Sequence, residues 1–153
     1  MIPSDHFVRF YNEVFKFLDE ENGLQDYYRE ISEGQEFHCL DLFRTKGLQG
    51  MYEYWERIRI EENCDMTLNV TDEYFELIMH SCPSLSKIID NDAGPSLKYC
   101  DHCPGWVIPL IEKAGYICEY NIIDRQLPQC QMRIYPASSG RKSKVVTEPV
   151  ELK

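Results

Sequence analysis

The sequence contains no apolar run that approaches the roughly 20 residues needed to span a lipid bilayer. Its first residues lack the basic stretch and apolar core typical of a secretory signal peptide. It also has no glycine-rich phosphate loop and neither the HExxH nor the GxSxG motif of hydrolases. These absences predict a cytoplasmic protein with no membrane association, and they exclude the enzyme classes with the strongest sequence signatures.

Basic residues are fewer than acidic ones. The chain of 153 residues has 16 Lys and Arg against 26 Asp and Glu, a formal net charge of -10. Such a surface repels phosphate backbones, so nucleic acid is not an expected partner. Apolar residues make up 43% of the chain and charged residues 27%, which is ordinary for a folded protein of one domain.

Cysteine, by contrast, is plentiful for a chain of this kind, with seven residues. Disulfides are rare in the reducing cytoplasm, and an odd number of cysteines cannot all pair within one chain. We therefore expect free thiols. Some would be buried as small apolar side chains, and the others are candidate metal ligands or nucleophiles.

Helical periodicity dominates the first 63 residues. In the first predicted helix, apolar residues recur at spacings of three and four, namely Phe7, Phe10, Tyr11, Val14, Phe15 and Leu18. A shorter helix is predicted to close at Gly34, and a third to run from about Gly47 to Glu62. Tyr52 and Trp55 in the third helix are interpreted as core residues rather than as a ligand platform.

Strand periodicity begins at Cys64. Residues 66–71 and 74–80 predict an antiparallel hairpin, followed by a short helix that begins at Pro83. A longer helix starts near Cys103-Pro104, and the proline within it at position 109 predicts a kink or an interruption. Two more strands are predicted over residues 116–123 and 129–135.

The predicted fold is therefore α+β, with N-terminal helices packed on an antiparallel sheet and the order β-β-α-α-β-β in the second half. One domain is expected over residues 1–136, helical over 1–63 and sheet-containing over 64–136. Residues 137–153 form a polar C-terminal tail, in which Val145-Val146 could add an edge strand.

The pair Cys100-x-x-Cys103, immediately before a predicted helix, is the first site candidate. Two cysteines at this spacing can bind the same metal ion. Cys82 ends the hairpin and Cys130 opens the last strand, so a sheet with helices on one face could bring all four together. Four thiolates, or three together with His102, would form a tetrahedral zinc site.

A second interpretation makes one of these thiols a nucleophile. A helix N-terminus would lower the pKa of Cys103, and Cys100 and His102 are the other candidate catalytic residues. Arg125 or Arg133 would then bind a substrate carboxylate, whose geometry a guanidinium matches. In a third interpretation the thiols are simply free and half-buried.

Several short motifs in the second half follow one another as they do in a known family. They are Leu68-Asn69-Val70-Thr71, Cys82-Pro83, Tyr99-Cys100-Asp101, Gly115, Arg125 and Cys130-Gln131-Met132-Arg133. In these the chain resembles the L-2-amino-thiazoline-4-carboxylate hydrolase-like family, and its layout is more distantly similar to vinyl-reductase-type small-molecule-binding domains. The resemblance implies a ring-opening hydrolysis of a small, cyclic, amidine-like substrate that carries a carboxylate.

Three functions follow from these observations. The first is a small-molecule hydrolase with a cysteine-rich pocket, using either zinc-activated water or a thiolate. The second is a non-catalytic sensor domain that binds a metal or a small ligand. The third is a scaffold that acts through helix contacts as a homodimer. A closed four-thiolate site favours the second function, and an exposed cysteine of low pKa in an apolar pocket favours the first.

Overall fold

The computed structural model describes residues 5–34, 39–90, 94–125 and 127–147. Its helices and strands, in chain order, are α1 (Asp5–Glu20), α2 (Leu24–Gly34), α3 (Asp41–Glu61), β1 (Asp65–Val70), β2 (Phe75–Ser81), α4 (Pro83–Ile89), α5 (His102–Lys113), β3 (Tyr116–Asp124), β4 (Gln129–Pro136) and β5 (Lys144–Thr147). The predicted α+β class and the order β-β-α-α-β-β are confirmed. Residues 148–153 of the predicted tail lie outside the described residues.

The five strands form one sheet in the order β1-β2-β4-β3-β5. Strands β1 to β4 pair with one another antiparallel, as expected. The edge strand expected at Val145-Val146 is present, and it runs parallel to β3, with Tyr120 opposite Val145. The sheet is therefore mixed rather than purely antiparallel. Among the described residues, no helix has the length and apolar character needed to cross a bilayer.

One face of the sheet carries the main hydrophobic core. Phe75 lies opposite Ile134, and Leu77 lies opposite Met132, so their side chains share the face covered by α3 and α5. Trp55 of α3 lies in this core as predicted. Its ring stacks on both Phe43 and Phe75, with centroid separations of 5.4 Å.

A second hydrophobic cluster joins α1, α2 and α4 to the segment before α5. Its buried residues are Val8, Phe15, Leu24, Tyr28, Leu85, Ile88 and Tyr99. The buried Asn12 amide fixes α1 to that segment, because it donates to the carbonyl of Gly94 at 2.9 Å and accepts from the N–H of Ser96 at 2.8 Å. Gly105 lets α2 approach α5, since a Cβ there would lie 2.4 Å from the ring of Tyr28.

Two predicted helix features differ in the structure. The third helix begins at Asp41 rather than near Gly47, which instead lies at a kink with φ of 59°. This backbone conformation favours glycine, and a Cβ at position 47 would lie 2.6 Å from the hydroxyl of Tyr116, which would have to move. Pro109 does not interrupt α5, which continues to Lys113. The proline lies on the exposed side of the helix, where the loss of one backbone hydrogen bond is tolerated.

Candidate functional site

The four cysteines proposed as metal ligands line one small cavity, although they come from three separate segments of the chain. Cys82 precedes α4, Cys100 lies in the turn before α5, Cys103 lies in the first turn of α5, and Cys130 lies in β4. We call this space the cysteine cavity. It lies between the two hydrophobic clusters, since Cys100 packs against both of them.

Local structure explains why Cys82 and Cys130 approach each other. The pairing of β2 with β4 places Met79 opposite Cys130. Beyond the end of β2, the N–H of Cys82 donates to the carbonyl of Pro128 at 2.8 Å, which holds the hairpin end against the start of β4. Cys82 is also the N-cap of α4, and its sulfur accepts from the N–H of Leu85 at 3.5 Å.

The cysteine cavity is small. Its volume of about 30 Å³ matches roughly one water molecule or one ion, whereas pockets for small organic ligands measure roughly 300–1,000 Å³. The remaining walls are mostly apolar or aromatic and come from Leu85, Tyr99, His102, Tyr120, Ile122, Pro128 and Gln129. A cyclic substrate does not fit among the four sulfurs in this arrangement.

His102 and Tyr120 make hydrogen bonds to two of the sulfurs. The Nδ1 of His102 contacts the carbonyl oxygen of Tyr99, which can only accept, so Nδ1 carries the hydrogen. Burial lowers the pKa of His102, so the ring is neutral and Nε2 accepts from the thiol of Cys103, 3.3 Å away. On the other side, the hydroxyl of Tyr120 donates to the sulfur of Cys130 at 3.4 Å. The sequence analysis did not predict Tyr120 as part of the site. A signal was available, because Tyr120 lies two residues from both Cys118 and Ile122 and therefore on the same, buried face of β3.

Burial raises the pKa of every thiol in the cavity. The pKa of Cys100 and that of Cys130 rise to about 12, and that of Cys103 rises to about 11. The pKa of Cys82 also rises, because of burial first and then the proximity of Cys103. The prediction that a helix N-terminus lowers the pKa of Cys103 is therefore wrong, because burial of the side chain outweighs the helix dipole. Protonated thiols are poor nucleophiles, and this disfavours a thiolate mechanism.

Alkylation should reveal these raised pKa values directly. For protein treated with a chelator, we expect slow reaction of Cys100, Cys103 and Cys130 with iodoacetamide at pH 7, and a rate that still rises above pH 9, because their thiolates form only near pH 11–12. Intact-mass spectrometry and peptide mapping would follow each site. Protein unfolded in urea is the control, in which all seven thiols should react readily. Rapid labelling of any of these three cysteines in the folded chain at pH 7 would contradict the expectation.

The two candidate arginines lie in different places. Arg125 is beside the cavity, where it donates to the carboxylate of Asp101 at 2.7 Å and to the carbonyl of Leu97 at 3.1 Å, and its charge opposes the rise in the pKa of Cys100. Arg133 is on the opposite face of the sheet, bound to Glu76 at 2.5 Å. Side chains alternate between the faces of a strand, and Arg133 follows Cys130 by three residues. The structure therefore does not bring Arg133 to the cysteines.

The other three cysteines do not line the cavity. Cys39 and Cys118 are buried within the main core, and Cys64 is half-buried at its edge. Among the described residues, no group of three or more His, Cys, Asp or Glu side chains is arranged to hold a metal ion as the side chains stand. The four sulfurs thus share a cavity without forming a completed coordination shell.

No family model, no curated protein and no solved structure matches the chain.

Proposed function

We propose that this protein binds one zinc ion through Cys82, Cys100, Cys103 and Cys130, in a structural or sensory role rather than a catalytic one. The observation that carries the proposal is that four cysteines from three separate segments of the chain line one cavity of about 30 Å³. Free buried cysteines are common, but they have no physical reason to converge from three distant segments. Four thiolates around one ion match the preference of zinc for tetrahedral sulfur coordination.

The electrostatics of the surroundings support a thiolate site. Four thiolates and one Zn²⁺ carry a net charge of -2, and a buried charge needs hydrogen-bond donors and nearby cations. Tyr120 already donates to Cys130, and the N–H of Leu85 donates to Cys82. The guanidinium of Arg125 lies close enough to Cys100 to favour its thiolate. These groups would stabilise the loaded site without contacting the ion.

Zinc binding requires two changes in the cavity. The ion must displace the thiol protons, which a coordinating cation does despite the raised pKa values. The sulfurs must also turn toward a common centre, because the side chains as they stand do not form a metal-binding group. Each sulfur can move by rotation about a single torsion angle, which has three staggered positions.

The hydrolase function implied by the resemblance stays a prediction, as does membership of that family. The cysteine cavity offers no room for a cyclic substrate, and a four-thiolate site has no open coordination position for water. For these reasons we favour the non-catalytic function. It also suits a cytoplasmic location, where reducing conditions keep thiols available for metal.

Metal analysis of protein produced with supplementary zinc and purified under reducing conditions tests the proposal. We expect one zinc per chain in the wild type and its loss in Cys100→Ser and Cys130→Ser. Cys64→Ser is the matched control, since this half-buried cysteine lies outside the cavity, and it should retain the metal. Replacement by Co²⁺ should give the absorption of a tetrahedral thiolate site. A wild-type protein that binds neither ion stoichiometrically would overturn the proposal.

A further inference from the structure

α1 presents two different apolar surfaces. Val8 and Phe15 face the second hydrophobic cluster and are buried. A second row of large side chains points away from it, with Phe7 at 64%, Phe10 at 63%, Tyr11 at 43% and Phe17 at 60% exposure. We call these four residues the aromatic stripe. Three of them belong to the six-residue apolar periodicity of the sequence, so half of that periodicity points away from the core.

The residues of the stripe lie on one side of the helix. Successive residues are about 100° apart, so Phe7, Phe10 and Phe17 fall within a sector of about 80°, and Tyr11 adjoins it. The partly exposed Val14 lies inside the same sector. Single exposed apolar residues are normal on a protein surface, but a continuous aromatic row marks an interaction site.

The amount of exposed surface can be compared with the needs of an interface. A fully buried aromatic side chain removes about 150–250 Å² from water, so the stripe exposes roughly 450 Å² at the fractions given above. Two stripes in contact would bury roughly 900 Å² from these four residues of each chain alone. Their neighbours, Val14 among them, would bring the total past the roughly 1,000 Å² expected of a biological interface.

We propose that the aromatic stripe is the contact surface of a homodimer, in which α1 packs antiparallel against α1 of a second copy. A two-fold axis that crosses the stripe at the level of residue 12 along the helix would place Phe7 opposite Phe17 of the second copy. It would also place Phe10 opposite the smaller Val14. The same patch then serves both chains, as an isologous interface requires. Aromatic rings at such contacts gain from edge-to-face packing as well as from burial.

The charges around the stripe favour a second copy over a membrane surface. A helix that lies on anionic lipid usually has a polar face rich in Lys and Arg. On α1, Lys16 is paired with Glu13 at 2.9 Å, and Asp19 and Glu20 follow, so the polar face has mixed sign. The chain as a whole has a net charge of -10, which opposes binding to anionic lipid.

Sedimentation velocity from about 1 to 100 μM tests the dimer. We expect the wild type to sediment with twice the mass of the chain and Phe10→Glu to be a folded monomer, with the dimer weakened at least 30-fold, because this exposed residue is central in the stripe. Ile60→Glu is the matched control, since Ile60 is 64% exposed on α3 and lies outside the stripe. Added NaCl should strengthen the dimer, because two chains of the same charge repel each other.

Circular dichroism would verify that both variants are folded. The geometry is tested by a photoreactive benzoylphenylalanine at position 17, which should crosslink to the peptide of the second chain that contains Phe7. A wild type that stays monomeric at 100 μM, or a Phe10→Glu variant that remains dimeric, would refute the proposal. So would a monomer that binds vesicles containing anionic lipid through Phe10. None of these readouts depends on zinc.

Discussion

Removal of zinc from the loaded protein should lower its melting temperature by about 10 °C. A ligand present at a thousandfold excess over its dissociation constant stabilises the folded state by about 4 kcal/mol. For a chain of this length, 1 kcal/mol corresponds to roughly 2–4 °C. The four proposed ligands come from three segments and lie between the two hydrophobic clusters, so loss of the ion would weaken the contact between these clusters.

Thermal unfolding followed by circular dichroism, before and after treatment with a chelator, measures this effect. Readdition of zinc should restore the original melting temperature, whereas magnesium should not, because thiolates prefer softer ions. Cys100→Ser should melt at the temperature of the metal-free wild type and respond to neither treatment. An unchanged melting temperature after verified loss of zinc would show that the ion does not stabilise the fold.

Phe15→Ala is expected to destabilise the protein by about 3–5 kcal/mol, the usual cost of truncating a buried phenylalanine. Its ring lies 5.0 Å from that of His102 and 5.5 Å from that of Tyr99. Because His102 in turn contacts Cys103, the resulting cavity would also loosen the wall of the proposed metal site. We therefore expect weaker zinc binding in addition to the loss of stability.

Urea unfolding and zinc titration of the same samples would measure both effects of this variant. Phe17→Ala is the matched control, because it removes the same side chain from an exposed position of the same helix. At submicromolar concentration, where the proposed dimer is dissociated, its cost should stay within about 0.5 kcal/mol. Equal destabilisation by the two substitutions would contradict the distinction between the buried and exposed sides of α1.

Much of the fold is predictable because local patterns specify it. Met66, Leu68 and Val70 alternate with polar residues, and this period of two predicts a strand whatever its partners are. Pro83 after Cys82 correctly predicts where α4 begins. The sheet order and the parallel pairing of β5 depend on contacts between distant segments, which a sequence pattern of four residues does not contain.

α1 shows why the direction of a helix face is harder to predict. Its apolar residues cover about half of the circumference, so periodicity indicates a helix but not which part of that half packs inward. The side is chosen by Asn12, whose amide must reach Gly94 and Ser96 once it is buried. A buried polar residue of this kind cannot be told from an exposed one by the sequence alone.

The candidate site, too, can be predicted only in part from the sequence. The spacing of Cys100 and Cys103 is a local signal. Cys130 alternates in step with Met132 and Ile134, which indicates that its side chain lies on the core face of β4. Arg133 is separated from Cys130 by an odd number of positions, so the same alternation places its side chain on the other face, and its assignment to the site could have been avoided. The raised pKa of Cys103 could not have been predicted, because it results from burial by residues far away in the chain.

The long separation between α1 and its partners affects how the protein is made. Ser96 follows Asn12 by 84 residues, an interval that a ribosome translates in roughly 4–17 s at about 5–20 residues per second. During that time the inward side of α1 has only some of its partners, because Tyr28 of α2 follows soon after Phe15 whereas Leu85, Ile88 and Tyr99 come much later. The nascent helix therefore exposes apolar surface to which chaperones can bind. Cys130 emerges later still, so metal capture by all four thiols would be among the last steps of maturation.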